Sequence, residues 1–516
     1  MHIFQIRLSV FSKASSGIAR VALMLAGILS LHPTASSASS LRADLGQEVM
    51  AVQAIAQLDP SAAVATMPSN DAIDTFIQQM MADRHIPGLT LAVVQDQKLT
   101  KVQGYGVLDR EQNIRARPSS IFPIASMSKP LTATAVMLLV QDGKIDLDAP
   151  IGTYLTKAPE HWEQVTVRRL LDHTAGLSER VYGGDFLISP ADFVEKAAAA
   201  PLNFEPGAAW MYSNTGYSLA SSIVEAVSNQ SFTDFMAERI FEPLGMSQTD
   251  VVRDSYMFSN RAMGYFVSEE GAAQPVSDFF RYSLLPRLMP GLQGAGSITS
   301  NVVDLARWEI ALQKGQLLAP DVQLAMQQHN TLNSGRIADY GLGWIVKDIN
   351  GHTAISHGGN LWGYSTSISR FVDDDITIIV LTNKDGENGD WLAQKIAEQY
   401  MPNLVLDLDG PAIADPNPAL TEKILAFMTG DETAIELTPE RQIALTSTVR
   451  GQSIQARWAD LVRTDPLQSL DLLSQADHPN GQQYRYRATS AGGEHLLTAV
   501  VTPEGLIAGL DISLNE

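Results

Sequence analysis

The chain has no cysteine at any of its 516 positions. That excludes disulfide staples, thiolate nucleophiles, cysteine-ligated zinc and a lipid-anchored N-terminal cysteine. Positive charge is also scarce: 36 lysines and arginines stand against 57 aspartates and glutamates, a formal net charge of −21. Such a chain repels phosphate backbones and anionic headgroups, so nucleic acid is not an expected partner, although an acidic surface also serves plain solubility. There is no Gly-x-Ser-x-Gly elbow, no phosphate-binding loop and no His-Glu-x-x-His pair. These absences count against α/β-hydrolase, nucleotide and zinc-protease chemistry. The acidic stretches 373–375 and 384–390 lack the spacing and closing glutamate of a calcium loop, so solvated turns are the expected reading.

What is present begins with an apolar run, VALMLAGILSL, preceded by Arg7, Lys13 and Arg20 and followed by small residues; the first acidic residue is Asp44. This is the pattern of a secretory signal peptide, with cleavage expected after Ala38 and a periplasmic or secreted destination. The run is short for a bilayer, so no stable membrane span is expected once the signal is removed. Residues 39–70 read as a linker. From Ile73 to Met81 apolar residues recur at helical spacing, and two strands follow around a polar turn at Asp96 and Gln97. Helical patterns fill the middle of the chain, and strand-like segments return between residues 352 and 382. The expected fold is α+β over 71–403: the early hairpin and the late strands join in one sheet, and the helical block between them forms a separate lobe. Prolines mark a second linker at 404–418, and 419–516 read as a small α+β accessory domain with an antiparallel sheet.

The stretch IFPIASMSKPLTATAVMLLV, residues 121–140, sets Ser126 three residues before Lys129 at the head of an apolar segment. On a helix that spacing puts both side chains on one face. A serine hydroxyl is a weak nucleophile until a base takes its proton. Burial and a helix N-terminus both favour a neutral lysine, which is such a base. Roughly one Ser-x-x-Lys is expected by chance in a chain like this, and a surface lysine reaching back to water is the competing reading. Two further groupings stand downstream. Tyr212-Ser213-Asn214 lies between a Gly/Pro turn and a helical pattern, and supplies a phenol that can move a proton and an amide that can bind a substrate amide. His357-Gly358-Gly359, followed by Asn360, ends a strand pattern, where glycines let a substrate lie against the backbone.

Together these three motifs resemble the serine β-lactamase and penicillin-binding-protein family, in the branch of class C β-lactamases, D-alanyl-D-alanine carboxypeptidases, D-aminopeptidases and related esterases. The stretches LLDHTAGL (170–177), GAGSITSNVVDLARW (294–308) and YGLGW (340–344) share in the resemblance, which spans about residues 71 to 400. It implies an antiparallel sheet flanked by helices with an all-helical lobe and no metal or organic cofactor, with Ser126 as acylated nucleophile, Lys129 as base and Tyr212 as second proton carrier, either as phenolate or in concert with the lysine. It implies Asn214 as orienter of substrate and lysine, and an oxyanion hole from the N–H groups of Ser126 and Asn360. His357, Gly358, Gly359 and Asn360 would line the substrate, a small ester, amide or short peptide. His173 and Asp172 read as structural. The third motif departs from the Lys-Thr-Gly usual in β-lactamases of this branch: a permanent cation and a hydroxyl are missing. Losing a charge-assisted contact to a substrate carboxylate costs about 1.5–3 kcal/mol. With Trp362 and Tyr364 nearby, this leans toward an esterase acting on neutral, apolar-ended substrates. A D-stereospecific peptidase, a β-lactamase and a catalytically silent cell-envelope binder are the alternatives.

Overall fold

The computed structural model describes residues 72–513 except 157, 183–187, 252–259, 269, 277–289, 406–407, 432, 447, 450–451 and 454–465. The expected signal peptide, 1–38, and the expected linker, 39–70, lie outside the described residues. Among the described residues, no helix is long and apolar enough to cross a membrane.

Helix α1 (Ala72–Asp83) leads into strands β1 (Gly88–Gln95) and β2 (Lys98–Asp109). Asp96 and Gln97 both take positive φ, which suits the twist of a two-residue hairpin turn. Helix α2 (Ser128–Gln141) and helix α3 (Asn214–Ser228) belong to the helical lobe, and α4 (Val302–Gln313) follows them. The chain then returns to the sheet as β3 (Ile345–Ile349), β4 (His352–Leu361), β5 (Tyr364–Phe371) and β6 (Ile376–Thr382), before α5 (Gly389–Glu398). The sheet order is β3-β4-β5-β6-β1-β2, closed by the short strand Ile114–Arg115, and its named pairs are antiparallel. The hairpin near residue 90 therefore joins the late strands through β1 and β6, with Leu91 opposite Val380. This is an antiparallel sheet carrying helices and a separate helical lobe, as the patterning predicts.

The reason lies in the strand composition. Strands β1 and β6 are buried at nearly every position, so both faces must be covered. One face packs Leu89, Leu91, Val93, Ile378 and Val380 against Ile77 and Met81 of α1 and Leu392 and Ile396 of α5. Helix α2 is buried on all sides from Ser128 through Leu139, which makes it an interior helix rather than an amphipathic one.

Beyond α5, helices α6 (Pro418–Met428) and α7 (Pro439–Thr446) precede a four-stranded antiparallel meander of β7 (Ser469–His478), β8 (Gly481–Thr489), β9 (Glu494–Val501) and β10 (Ile507–Ser513). It has a core of its own: Leu420 and Ile424 of α6 pack on Leu472, Tyr486, Leu497, Ala499 and Ile507.

Candidate active site

Ser126 sits in a single 3₁₀ turn, Ala125–Met127, that runs directly into α2. Ala125 has φ of +49°, a left-handed conformation that costs a non-glycine residue about 1–2 kcal/mol. The strained residue immediately precedes the serine. Lys129, in the first turn of α2, is completely buried. Its Nζ lies 3.1 Å from Ser126 Oγ, 2.8 Å from Asn214 Oδ1 and 2.9 Å from the carbonyl oxygen of Ala295. It also stands 4.6 Å from the centre of the Tyr212 ring. Ser126, Lys129, Tyr212 and Asn214 thus converge from two helix starts and one loop, although the first and Tyr212 are far apart in the chain.

The segment 294–298 holds this arrangement from below. Thr132 Oγ1 donates to Gly294 O (2.7 Å), and Ser128 Oγ accepts from the Ile298 N–H (3.1 Å). With the Ala295 carbonyl, these bonds dock the stretch 294–308 onto the first turn of α2. Ser213 caps α3 by accepting from the Gly216 N–H, which sets Asn214 as the first helical residue facing the lysine.

Burial drives the electrostatics. Desolvation lowers the Lys129 amine to about 7, against an opposing pull from the Glu179 carboxylate. Near neutral pH a large fraction of this lysine is therefore an uncharged base. Burial pushes the Tyr212 phenol well above its usual value, and contact with Ser126 only partly opposes this. Tyr212 rests as a phenol rather than a phenolate, so of the two roles raised for it, the one in concert with Lys129 fits the environment.

Two residues position the Tyr212–Asn214 stretch. His173, itself at φ +65°, accepts from the Met211 N–H through its carbonyl (2.9 Å) and from the Ser213 N–H through Nδ1 (3.0 Å). Its ring lies 4.4 Å from that of Tyr212. Burial holds His173 neutral, far below the usual imidazole range. It grips Tyr212 on both sides by the backbone. Asp172 is likewise buried, accepts from the Thr174 N–H and hydroxyl, and is raised by burial to about 7. Glu179 performs the matching task for Asn214: its Oε1 accepts from Ser213 Oγ (2.7 Å) and from the Thr215 N–H (3.0 Å). Glu179→Gln removes the charge that raises Lys129. The acid limb of the pH–kcat/KM profile is expected to move to lower pH, by a few tenths to about one unit. Steady-state rates between pH 5 and 9 check it.

The third motif behaves differently from its sequence reading. His357 is 2% exposed. Its Nε2 meets Tyr340 Oη at 2.9 Å and its Nδ1 meets the Gly358 carbonyl at 2.7 Å. Both ring nitrogens are engaged by the chain itself, and burial lowers the imidazole to about 3. His357 therefore offers neither a free nitrogen nor a charge to a ligand; it braces the end of β4. Tyr364 is corrected too. It is buried, its hydroxyl donates to Ala262 O (2.8 Å), and its ring packs against Gly264, so it does not line the site. Trp362, in the β4–β5 turn, remains 37% exposed. Asn360 is exposed at the end of β4, and its Oδ1 accepts from Ser365 Oγ (3.0 Å).

The two glycines are required by space. A Cβ on Gly359 would stand 2.2 Å from the Ile124 carbonyl oxygen, and one on Gly358 2.6 Å from the Asp390 carboxylate. Asp390 is held by Ser367 Oγ at 2.5 Å, and burial raises it above the usual carboxylate range. The backbone of β4 thereby runs directly alongside the serine turn. Gly359→Ala must displace the Ile124–Ser126 segment. It is expected to cost about 1–3 kcal/mol of stability and most of the activity, read by thermal melting and by hydrolysis of a p-nitrophenyl ester.

Glu179, Tyr340, Asp390 and the Ala295 carbonyl carry no signal that residue type alone could single out. Tyr340 and Ala295 at least fall in stretches with a family-like look. A cavity of about 590 Å³ lined by Asp74, Gln78, Met81 and Tyr105 lies beside α1 and β2 and shares no residue with this cluster.

Comparison with known proteins places the chain in a family and a fold. A family model described as Beta-lactamase matches residues 73–399, well over half of the chain. The chain belongs to the Beta-lactamase family. This is a family of serine hydrolases with the β-lactamase and penicillin-binding-protein fold. A penicillin-binding protein of Bacillus subtilis (strain 168) is 29% identical over 321 residues, covering 60% of this chain and 70% of that one. The D-amino acid amidase of Ochrobactrum anthropi SV3, solved with D-phenylalanine, superposes with a TM-score of 0.55 at 25% identity, over 65% of this chain and 99% of the amidase. The octameric penicillin-binding protein homologue from Pyrococcus abyssi has a TM-score of 0.56 at 19% identity. The match covers 85% of this chain and 97% of the homologue, and shows the shared fold.

Proposed function

We propose that this Beta-lactamase-family protein is an exported serine hydrolase that cleaves an uncharged ester or amide through an acyl-enzyme on Ser126. The observation that carries the reading is the buried Lys129 amine 3.1 Å from Ser126 Oγ. Neutral Lys129 takes the hydroxyl proton as Oγ attacks the carbonyl carbon. The N–H groups of Ser126 and Asn360 receive the oxyanion. The Tyr212 phenol gives its proton to the leaving oxygen or nitrogen and is reloaded from the lysine. The alcohol or amine departs, and water, activated along the same route, attacks the acyl carbon, frees the acid and restores Ser126.

The substrate class follows from the third motif. His357 is neutral and sealed against Tyr340, so it supplies no cation for a substrate carboxylate. The exposed Trp362 offers an apolar surface at the turn beyond Asn360. Both features favour esters and amides with neutral, apolar ends, and an esterase is the first reading. A D-stereospecific amidase or peptidase is second; the similarity to a D-amino acid amidase favours it over β-lactamase activity. Parallel assays on short p-nitrophenyl esters, D- and L-phenylalanine amide, D-alanyl-D-alanine peptides and nitrocefin decide the order. Ester turnover at least about tenfold above the others in kcat/KM is the expected result, the size of a lost charge-assisted contact. Fast nitrocefin turnover without ester cleavage overturns it. A silent binding protein would show no label from a fluorophosphonate or fluorescent penicillin.

A further inference from the structure

The C-terminal meander reaches the hydrolase fold at a place that leads straight to the third motif. The β7–β8 turn is His478-Pro479-Asn480-Gly481. Asn480 uses both ends of its side-chain amide on one residue. Its Oδ1 accepts from the Ile337 N–H (2.9 Å) and its Nδ2 donates to the Ile337 carbonyl (2.9 Å). A side chain thus does what a neighbouring strand would do. His478 Nδ1 accepts from the Asn480 N–H (3.1 Å) and so orients the turn.

Ile337 lies in a small hairpin with Thr331, and the chain from it runs through Asp339 to Tyr340. The Asp339 carboxylate has its Oδ1 3.9 Å from both His329 Nδ1 and His478 Nε2, which brackets it between the two parts of the chain. Tyr340 is 1% exposed. It contacts His357 through the 2.9 Å Oη–Nε2 bond, and its ring lies 4.5 Å from that of His173, the residue that grips Tyr212. Two flanking ion pairs hold the same junction: Arg485 to Asp348 at 2.8 Å and Arg336 to Glu440 at 3.1 Å.

We propose that the C-terminal meander is a positioning element for the reactive cleft, with Asn480 setting Ile337–Tyr340 and, through Tyr340, the end of β4 and the Tyr212 loop. Asn480 is a positioning residue: it acts on the cleft only through Ile337, Tyr340 and then His357 or His173. The effect on turnover rests on the acyl-enzyme reading above; the structural coupling does not, so the test has one arm for each.

The experiment is a cycle of the full-length protein, Asn480→Ala, Tyr340→Phe and the double variant. The first arm is hydrogen exchange of the peptides covering 337–344 and 354–361. Faster exchange in both for Asn480→Ala, with the β1–β6 peptides unchanged, is expected. Unchanged exchange at 354–361 overturns the proposal, whatever the enzyme hydrolyses. The second arm is kcat/KM on a p-nitrophenyl ester. A loss of about three- to tenfold for Asn480→Ala is expected, since small misplacements near reacting groups are costly. In the Tyr340→Phe background the same change is expected to lose less than about twofold, because the two act through one path. Full additivity overturns the proposal. Asn480→Asp keeps the acceptor and loses the donor, and is expected to fall between wild type and Asn480→Ala. An effect of Asn480→Asp equal to that of Asn480→Ala in both arms overturns the two-ended grip.

Discussion

Ser126→Ala is expected to reduce ester or amide hydrolysis by about 10⁴-fold or more and to abolish covalent labelling by a fluorophosphonate. The substitution removes the hydroxyl placed 3.1 Å from the Lys129 amine. Tyr212 cannot take its place, because burial holds it as a phenol, and the chain has no cysteine. The fold should tolerate the loss, since Ser126 is part-exposed and the turn is held instead by Ile124 and Ser128. Mass spectrometry of the protein after incubation with a slow ester measures the adduct directly. An adduct of equal yield on the Ser126→Ala variant would remove Ser126 from the chemistry.

Lys129→Met should cost about 10²–10⁴-fold in kcat/KM, the range for a displaced general base. The wild-type profile should rise through an inflection near pH 7, where the amine loses its proton. Activity falls below that pH because the protonated lysine cannot accept from Ser126. The same group predicts a stability trend. Its amine is lowered from 10.5 in the unfolded chain to about 7 in the folded one. Between those values the unfolded state binds more protons, so this residue makes stability rise with pH across that window and contributes no slope below it. Lys129→Met removes that contribution. Denaturant titrations of both proteins from about pH 7 to about pH 10 test it: the stability difference between them should shift in favour of the wild type as pH rises. A parallel course would mean that the lysine is not titrating in the buried site.

The buried lysine explains why Ser-x-x-Lys was legible while its partners were only half so. Spacing on a helix is local, and the apolar run after Lys129 already states that the segment goes inside. The strand patterns were legible for the same reason. β1 and β6 read as apolar throughout because both of their faces are covered. His357 shows the limit. As a residue type in a strand-end motif it looks like a ligand group, yet its environment supplies Tyr340 and the Gly358 carbonyl and leaves it neutral. Tyr364, two residues after the exposed turn residue Trp362, is buried because it opens β5, a strand covered on both faces at nearly every position. Glu179 has no local signature at all. Its importance comes from accepting the Ser213 hydroxyl and the Thr215 N–H from a distant part of the chain.

The amino-acid order alone carried the main elements and the sheet-plus-lobe architecture, because periodicity and residue spacing act over a turn or two of chain. Only the folded chain decided which nitrogen is uncharged, which histidine is spent on bracing, and that Asn480 reaches across to Ile337. Those outcomes depend on desolvation and on contacts between segments far apart in the chain, and both arise only once the packing exists.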